Sequence, residues 1–456
     1  MAHPDDRNIK ASAPTVDRYA WYVVFILALG YTLSFVDRQI LSLLVGPIKH
    51  DLGMSDTRIG LLQGLAFALF YSLVGLPLGR WADKTNRRNL VVGGVLLWSA
   101  FTAACSAARS FVSLFIARVG VGIGEASLSP STYSMVADMF PKERMGVALS
   151  ILCMGVFWGS STALIVGGTV VDLLAHTPAV SVPVLGLVAS WRLTFIAVGA
   201  PGLLFALLLF TVREPVRTGI LRSARGADLS FREGLREIRL RWRSVALLSG
   251  GMICQATCLF GFLGWAPVFF QRIHGWSAGE VGRALGFTVL IFGCLGMYTG
   301  GRFCDRYQRK GIGDGPVRVG IPSAIGNCVL FAAAMFAPSA GWTLAIGCAA
   351  VFFVALPMGT TVAALQFIFP NQLRGQVSAI YLFIINLGGL TLGPLLPGLF
   401  NDYLFKSEKM IGPSLAITTL GAGAVMLLLF SCALRPYRDH YRLTLSGLRA
   451  ASAYAD

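Results

Sequence analysis

The stretch RVGVGIGEA, Arg118–Ala126, places an arginine and a glutamate seven residues apart inside a segment, 111–136, that otherwise reads as a membrane-spanning helix. Seven residues make two helical turns, so Arg118 and Glu125 share a face, roughly 10 Å apart along the axis. Between them Gly120, Gly122 and Gly124 remove bulk. Each glycine weakens a helix by roughly 1 kcal/mol relative to alanine unless a close neighbour compensates. A charged, glycine-rich helix at this depth implies both tight packing and a reason to keep the charges.

Working outward, 55% of the 456 residues are hydrophobic and only 13% charged. Soluble globules carry about 25% charged residues, so the composition indicates a polytopic membrane protein. Apolar runs of about 20 residues, the length that a bilayer core demands, recur over 20–45, 58–80, 89–107, 111–136, 145–171, 192–212, 244–270, 280–301, 317–337, 342–367, 375–400 and 414–434. Twelve runs place both termini on one side.

The first 18 residues are polar and mixed in charge, without the short apolar stretch of a removable signal peptide, so the first span is expected to be retained. With residues at span edges assigned to the adjoining loops, 28 of the 38 Lys and Arg fall on the terminal side, 8 on the other and 2 within spans. The positive-inside rule makes the terminal side cytoplasmic, which for a bacterial protein means the inner membrane. The net charge of +16 is accounted for by short loops facing anionic lipid and requires no nucleic acid. The nine cysteines and five histidines show no paired metal spacing, so neither a metal, a cofactor nor a disulfide framework is expected.

The chain repeats itself. GRWADKTNRR (79–88) returns as GRFCDRYQRK (301–310) at an offset of 222, and FPKERMG (140–146) as FPNQLRG (369–375) at an offset of 229. Two echoes at nearly one offset, each six spans apart, indicate duplication of a six-helix unit. The expected organisation is a tail at 1–18, a bundle at 19–212, a linker at 213–243, a second bundle at 244–434 and a tail at 435–456. The linker holds nine Arg against four acids. Ser230 and Glu233 stand at capping-box spacing, with Phe231, Leu235, Ile238 and Trp242 on one side, so a basic amphipathic helix is expected there.

Four charges lie inside spans, Asp37, Arg38, Arg118 and Glu125, all in the first half. A charge at mid-bilayer costs several kcal/mol unless it is paired or hydrated, so such residues usually serve an ion or substrate path. Asp37 and Arg38 are adjacent and point about 100° apart, so their partners come from another span. The economical arrangement crosses Asp37 with Arg118 and leaves Glu125 facing a cavity between the halves. No histidine falls in a span, so Asp37 and Glu125, influenced by Arg118, are the expected proton carriers. The second half offers Gln255, Thr257, Gln366 and Asn386 among Phe and Leu. Together with Arg38, Arg118, Glu125 and Tyr133, the residues Gln255, Gln366 and Asn386 form the expected substrate site, a charged wall opposite an apolar one that suits an amphiphile.

Twelve spans in two halves, with G-x-x-x-D-[KR]-x-x-[RK]-[RK] after the second and eighth and R-x-x-x-G-x-G in the fourth, resemble the major facilitator superfamily over essentially the whole chain. Within it, VDR in the first span, the ADKTNRR loop and RVGVGIGEAS followed by VADMF look like the Spinster family, whose eukaryotic members export sphingosine-1-phosphate and lysophospholipids. The loop departs from that pattern, with Asn86 where the superfamily usually has Gly and Ala82-Asp83 where Spinster-type loops commonly have Gly-Asp. The resemblance implies an all-α fold of two pseudo-symmetric six-helix bundles that rock about a central cavity. It also implies that Asp83 and Asp305, within the motifs carrying Gly79, Arg87, Gly301 and Arg309, latch the terminal side by approaching the helices that start near Gly375 and Gly146, whose positive ends attract an anion.

These features lead to the expectation of a proton-coupled secondary transporter, a monomer among membrane lipids, whose substrate is an amphiphile such as a lysolipid or sphingoid phosphate. The alternative is a carrier of small organic anions that holds a carboxylate on Arg38 or Arg118. A passive scramblase or channel would need neither coupling carboxylates nor latches. No His, Cys or Ser constellation suggests an enzyme.

Overall fold

The computed structural model describes residues 18–140, 142–175, 180–182, 186–216, 231–369 and 374–453. Among them, 12 helices are long and apolar enough to cross a membrane. The first six are Arg18–Leu43, Asp56–Ala82, Arg87–Cys105, Phe111–Met139, Met154–Leu174 and Ser190–Leu209. The second six are Trp242–His274, Ala278–Arg309, Gly315–Met335, Ala340–Ile368, Ile380–Phe405 and Glu408–Thr444. They form two six-helix bundles. The one hairpin among the described residues, Val180–Val182 against Gly186–Val188, lies between the fifth and sixth spans.

Helix starts follow local chemistry. Ser55 accepts from the Arg58 amide at 3.3 Å and Asn86 from the Asn89 amide at 3.0 Å. Ser110 with Ser113, and Ser277 with Glu280, form reciprocal capping boxes that satisfy donors the helix cannot pair internally. Among the described residues four spans are interrupted by a turn: the second at Gly64, the fourth at Ala126–Ser127 just beyond Glu125, the ninth at Val319, and the tenth at Leu356 ahead of Pro357. Proline is favoured at a helix's first position because its missing N–H has no partner there anyway.

The glycines between Arg118 and Glu125 meet neighbouring spans closely. A Cβ on Gly122 would stand 2.8 Å from the Phe67 carbonyl oxygen in the second span, and one on Gly124 would stand 2.7 Å from the Trp98 amide nitrogen in the third. Small residues let backbones approach where lipid offers no hydrophobic driving force between helices.

The halves meet closely toward the side away from the termini, here the far side. The start of the second span packs against the end of the eleventh, with Gly60 and Gly64 against the backbone of Pro394 and Leu390. The end of the fifth packs against the start of the eighth, with Gly168 against Ala278. The two seams are pseudo-symmetric counterparts, as the duplicated sequence implies.

Several boundaries differ from expectation. The last span does not end near 434 but runs as one helix, Ile411–Ala453, so most of the expected tail is helical. It is held against the second bundle by Tyr437, whose hydroxyl donates to the Ala364 carbonyl at 3.0 Å, and by Arg438, whose Nε reaches Asp314 at 2.6 Å. The linker helix is Phe231–Leu240, and Trp242 begins the seventh span instead of continuing the apolar side of the linker helix. Ser230, the tail before Arg18, and the side chains of Phe231, Glu233, Leu235 and Asp83 lie outside the described residues.

Candidate functional site

Span 1 carries Ser34, Phe35, Asp37 and Arg38 within two turns. Ser34 and Arg38 stand one turn apart and share one side, with Phe35 at its edge, while Asp37 is turned about 100° away from Arg38. Span 4 presents Glu125 to the first side and Arg118 to the second.

On the first side Arg38 donates through Nε to Glu125 Oε2 at 2.7 Å, and its Nη2 lies 2.6 Å from the same oxygen. Ser34 also donates to that oxygen and accepts from Arg38 Nη2 at 3.4 Å. The guanidinium carbon lies 4.1 Å from the ring centre of Phe67, 4.8 Å from that of Phe35 and 4.9 Å from that of Tyr71. Phe67 and Tyr71, one turn apart in the second span, stack on each other at 5.1 Å. The Tyr71 hydroxyl is anchored to Ser129 at 3.1 Å. Glu125 is 1% exposed, whereas 16% of the Arg38 side chain remains open.

On the second side Arg118 donates through Nη1 to the backbone carbonyl of Asp37 at 2.9 Å. The expected crossing of Arg118 with the Asp37 carboxylate therefore takes a different form. The contact uses the main chain, and the ion pair across this site is Arg38–Glu125. Among the described residues, Asp37 Oδ1, Glu125 Oε1, and Arg118 Nε and Nη2 are buried without a hydrogen-bond partner. Such groups are costly unless water or a moving proton serves them.

Phe35, Arg38 and Phe67 form one wall of a pocket that also has polar members, Gln39, Ser42, Gln63 and Ser160. The second bundle contributes Phe260, Leu263 and Leu390. Gln39 donates to the Leu263 carbonyl at 2.6 Å and Gln63 to the Gly264 carbonyl at 3.3 Å, so both bundles shape this end. Of the other expected site residues, Tyr133 is partly exposed, its ring 6.4 Å from that of Tyr31. Gln366 and Asn386 are half-buried. Gln255 is drawn into the second bundle, donating to the Val354 carbonyl at 2.7 Å, and does not reach the pocket. Thr257 bonds its own helix at Ile253.

The terminal-side motif divides. Arg87 is buried and binds Glu214 at 2.7 Å, the Asp138 carboxylate and the Pro215 carbonyl, so it ties the third span to the fourth and to the chain leaving the sixth. Glu214 also accepts from the Arg88 amide at 3.1 Å. Asp305 and Arg309 are exposed at the end of the eighth span, Gly301 faces open space, and Gly79 stands near Pro130.

Three sets of residues were not expected: the aromatic rings around Arg38, the partners of Arg87, and a charged cluster on the far side. In that cluster Asp56, fully buried, meets Lys49, Arg272 and Asn401. The spacing of Ser34 and Phe35 to Arg38, and of Phe67 to Tyr71, was a helical-face signal available in the sequence.

The Major Facilitator Superfamily model matches residues 27–391. An MFS-type efflux pump of Mycolicibacterium smegmatis is 30% identical over 406 residues, covering 85% of this chain and 86% of that protein. The hexuronate transporter of Bacillus subtilis is 26% identical over 409 residues, covering 87% and 92%. A solved bacterial homologue of the human lysosomal transporter Spinster, in an inward-facing, unoccupied conformation, superposes with a TM-score of 0.74 at 26% identity, covering 95% of this chain and 99% of that one. With twelve membrane-spanning helices in two bundles and a family match over most of its length, this chain belongs to the major facilitator superfamily, integral membrane transporters rather than enzymes.

Proposed function

We propose that the chain is a proton-coupled secondary transporter whose exchangeable element is the Arg38–Glu125 pair. The observation that carries this is the convergence of Arg38 Nε and Nη2 on one Glu125 oxygen, beside a pocket to which both bundles contribute. A proton on Glu125 removes the charge that holds Arg38, and an anionic substrate can then take the guanidinium. Rocking of the bundles carries both across. Asp37, next to Arg118, is a second proton carrier. The termini face the cytoplasm, the protein works as a monomer, and Asp83 and Asp305 latch the terminal side when the far side opens.

The substrate that best fits is a small hydroxylated organic anion. Gln39, Ser42, Gln63 and Ser160 supply polar groups beside Arg38 in the pocket, and a similar chain is a hexuronate transporter. A lysolipid is a second reading, supported by Phe260, Leu263 and Leu390 on the opposing wall and by the similarity to the Spinster homologue.

Proteoliposome uptake of D-glucuronate and of lysophosphatidylcholine, each with and without an imposed proton gradient, tests this. Gradient-dependent glucuronate uptake lost in Arg38→Ala is the expected result. Gradient-dependent uptake of the lysolipid alone would replace the substrate assignment, and transport of either that ignores both the gradient and Glu125→Gln would overturn proton coupling through this pair.

A further inference from the structure

Arg38 is held twice, once by Glu125 and once by rings that carry no charge. We infer that Phe67, with Phe35 and Tyr71, is a positioning cage that keeps the Arg38 guanidinium at the pocket wall after Glu125 lets go of it, so that the site stays ready for the substrate's anionic group. This rests on the proposal that Arg38 receives that group.

A guanidinium released from its carboxylate has three courses: to follow the carboxylate's hydrogen-bond partners, to swing toward water, or to stay. Of Arg38's polar neighbours besides Glu125, Ser34 is held at 3.4 Å, a long contact that would not fix a flexible side chain, and Tyr71, itself a member of the cage, adds its polar side chain to its ring. The three ring centroids, at 4.1, 4.8 and 4.9 Å, lie within the roughly 6 Å over which a ring's electron-rich face attracts a cation. The effect is stronger where water is excluded. Phe67 is 1% exposed and is fixed by the close approach of Gly122 to its backbone. Tyr71 is tethered through Ser129. The cage is therefore stiffer than the side chain that it holds.

A cage of uncharged rings also suits the switch. A second carboxylate in the same place would compete with the substrate for Arg38, whereas uncharged rings leave the cation's charge for an anion to meet in the forked geometry that arginine offers. Less conformational freedom then has to be lost on binding, which is how a preorganised site raises affinity.

Two measurements test this, and neither outcome depends on the other. In structures of Glu125→Gln without substrate, Arg38 should remain over the Phe67 ring, and in Glu125→Gln/Phe67→Leu it should leave. A guanidinium that departs in the single variant, or stays in the double one, overturns the cage. In D-glucuronate uptake, Phe67→Leu should raise KM about tenfold with the maximal rate nearly unchanged. Phe67→Trp should restore the parent value, and Tyr71→Leu serves where Phe67→Leu folds poorly. An unchanged KM in properly folded Phe67→Leu, alongside loss of uptake in Arg38→Ala, would remove the cage while leaving Arg38 as the anion site. Undiminished uptake in Arg38→Ala would instead remove the anion site itself.

Discussion

Asp56, the first residue of the second span, is gripped by both terminal nitrogens of Arg272 at the end of the seventh, at 2.8 and 2.9 Å. The carboxylate has no exposure to solvent, and Lys49 at 2.7 Å and Asn401 complete its shell. Asp402 accepts from the Asp56 and Thr57 amides at 3.2 and 2.6 Å, so the second bundle also caps the helix that Asp56 begins. Forked pairs of this kind are short and directional, and removing one partner strands the other.

Asp56→Asn and Arg272→Gln are each expected to loosen the far side, shifting spin-label distances between the two bundles there toward longer values and lowering stability by about 3 kcal/mol or more. The double variant should cost less than the sum of the singles, because both singles remove the same Asp56–Arg272 contact. Unaltered far-side distances in both singles would show that the cluster does not hold the bundles together.

Arg87→Ala should destabilise the first bundle by about 3 kcal/mol, since it removes the buried cation on which the Asp138 and Glu214 carboxylates converge. Melting curves of the detergent-purified protein would record the loss. Arg87→Lys should recover part of it, because an ammonium keeps the charge but cannot reach both carboxylates and the Pro215 carbonyl with fixed forked geometry. Equal melting temperatures for Arg87→Ala and the parent would contradict the assignment.

Glu125→Gln should fix the site in its protonated condition, because glutamine keeps the size of a neutral glutamic acid and lacks the charge that Arg38 pairs with. Binding of D-glucuronate to the parent should strengthen as pH falls and Glu125 takes up a proton, and by linkage glucuronate should promote proton uptake. The variant should bind at high pH as the parent does at low pH. Titrations at several pH values that run parallel in the two proteins would place the coupling elsewhere, Asp37 being the next carboxylate to test.

Gly122→Ala should cost about 1–3 kcal/mol and weaken substrate affinity together, since its methyl would press on the Phe67 carbonyl 2.8 Å away and displace the ring under Arg38. Gly75→Ala, in the second span with nothing within 4 Å of the added atom, is the control and should leave affinity unchanged with no loss of stability. Matching effects in the two variants would mean that close packing at Gly122 has no special part.

The sequence by itself determined the twelve spans and their division into two related halves, because a bilayer imposes a length and an apolarity that any stretch either meets or fails. It also singled out Asp37, Arg38, Arg118 and Glu125, since charges within spans are expensive enough to be conspicuous. Which of them pair was decided by tertiary structure. Asp37 and Arg38 present themselves about 100° apart, and only the rotation of the first span against the fourth, set by glycine contacts and ring packing, turns Arg38 to Glu125 and leaves Arg118 on the Asp37 backbone. The Asp56–Arg272 fork was hidden for a related reason. Its members stand 216 positions apart at span edges, where charges are ordinary, and it is their burial between the packed bundles that makes them a joint.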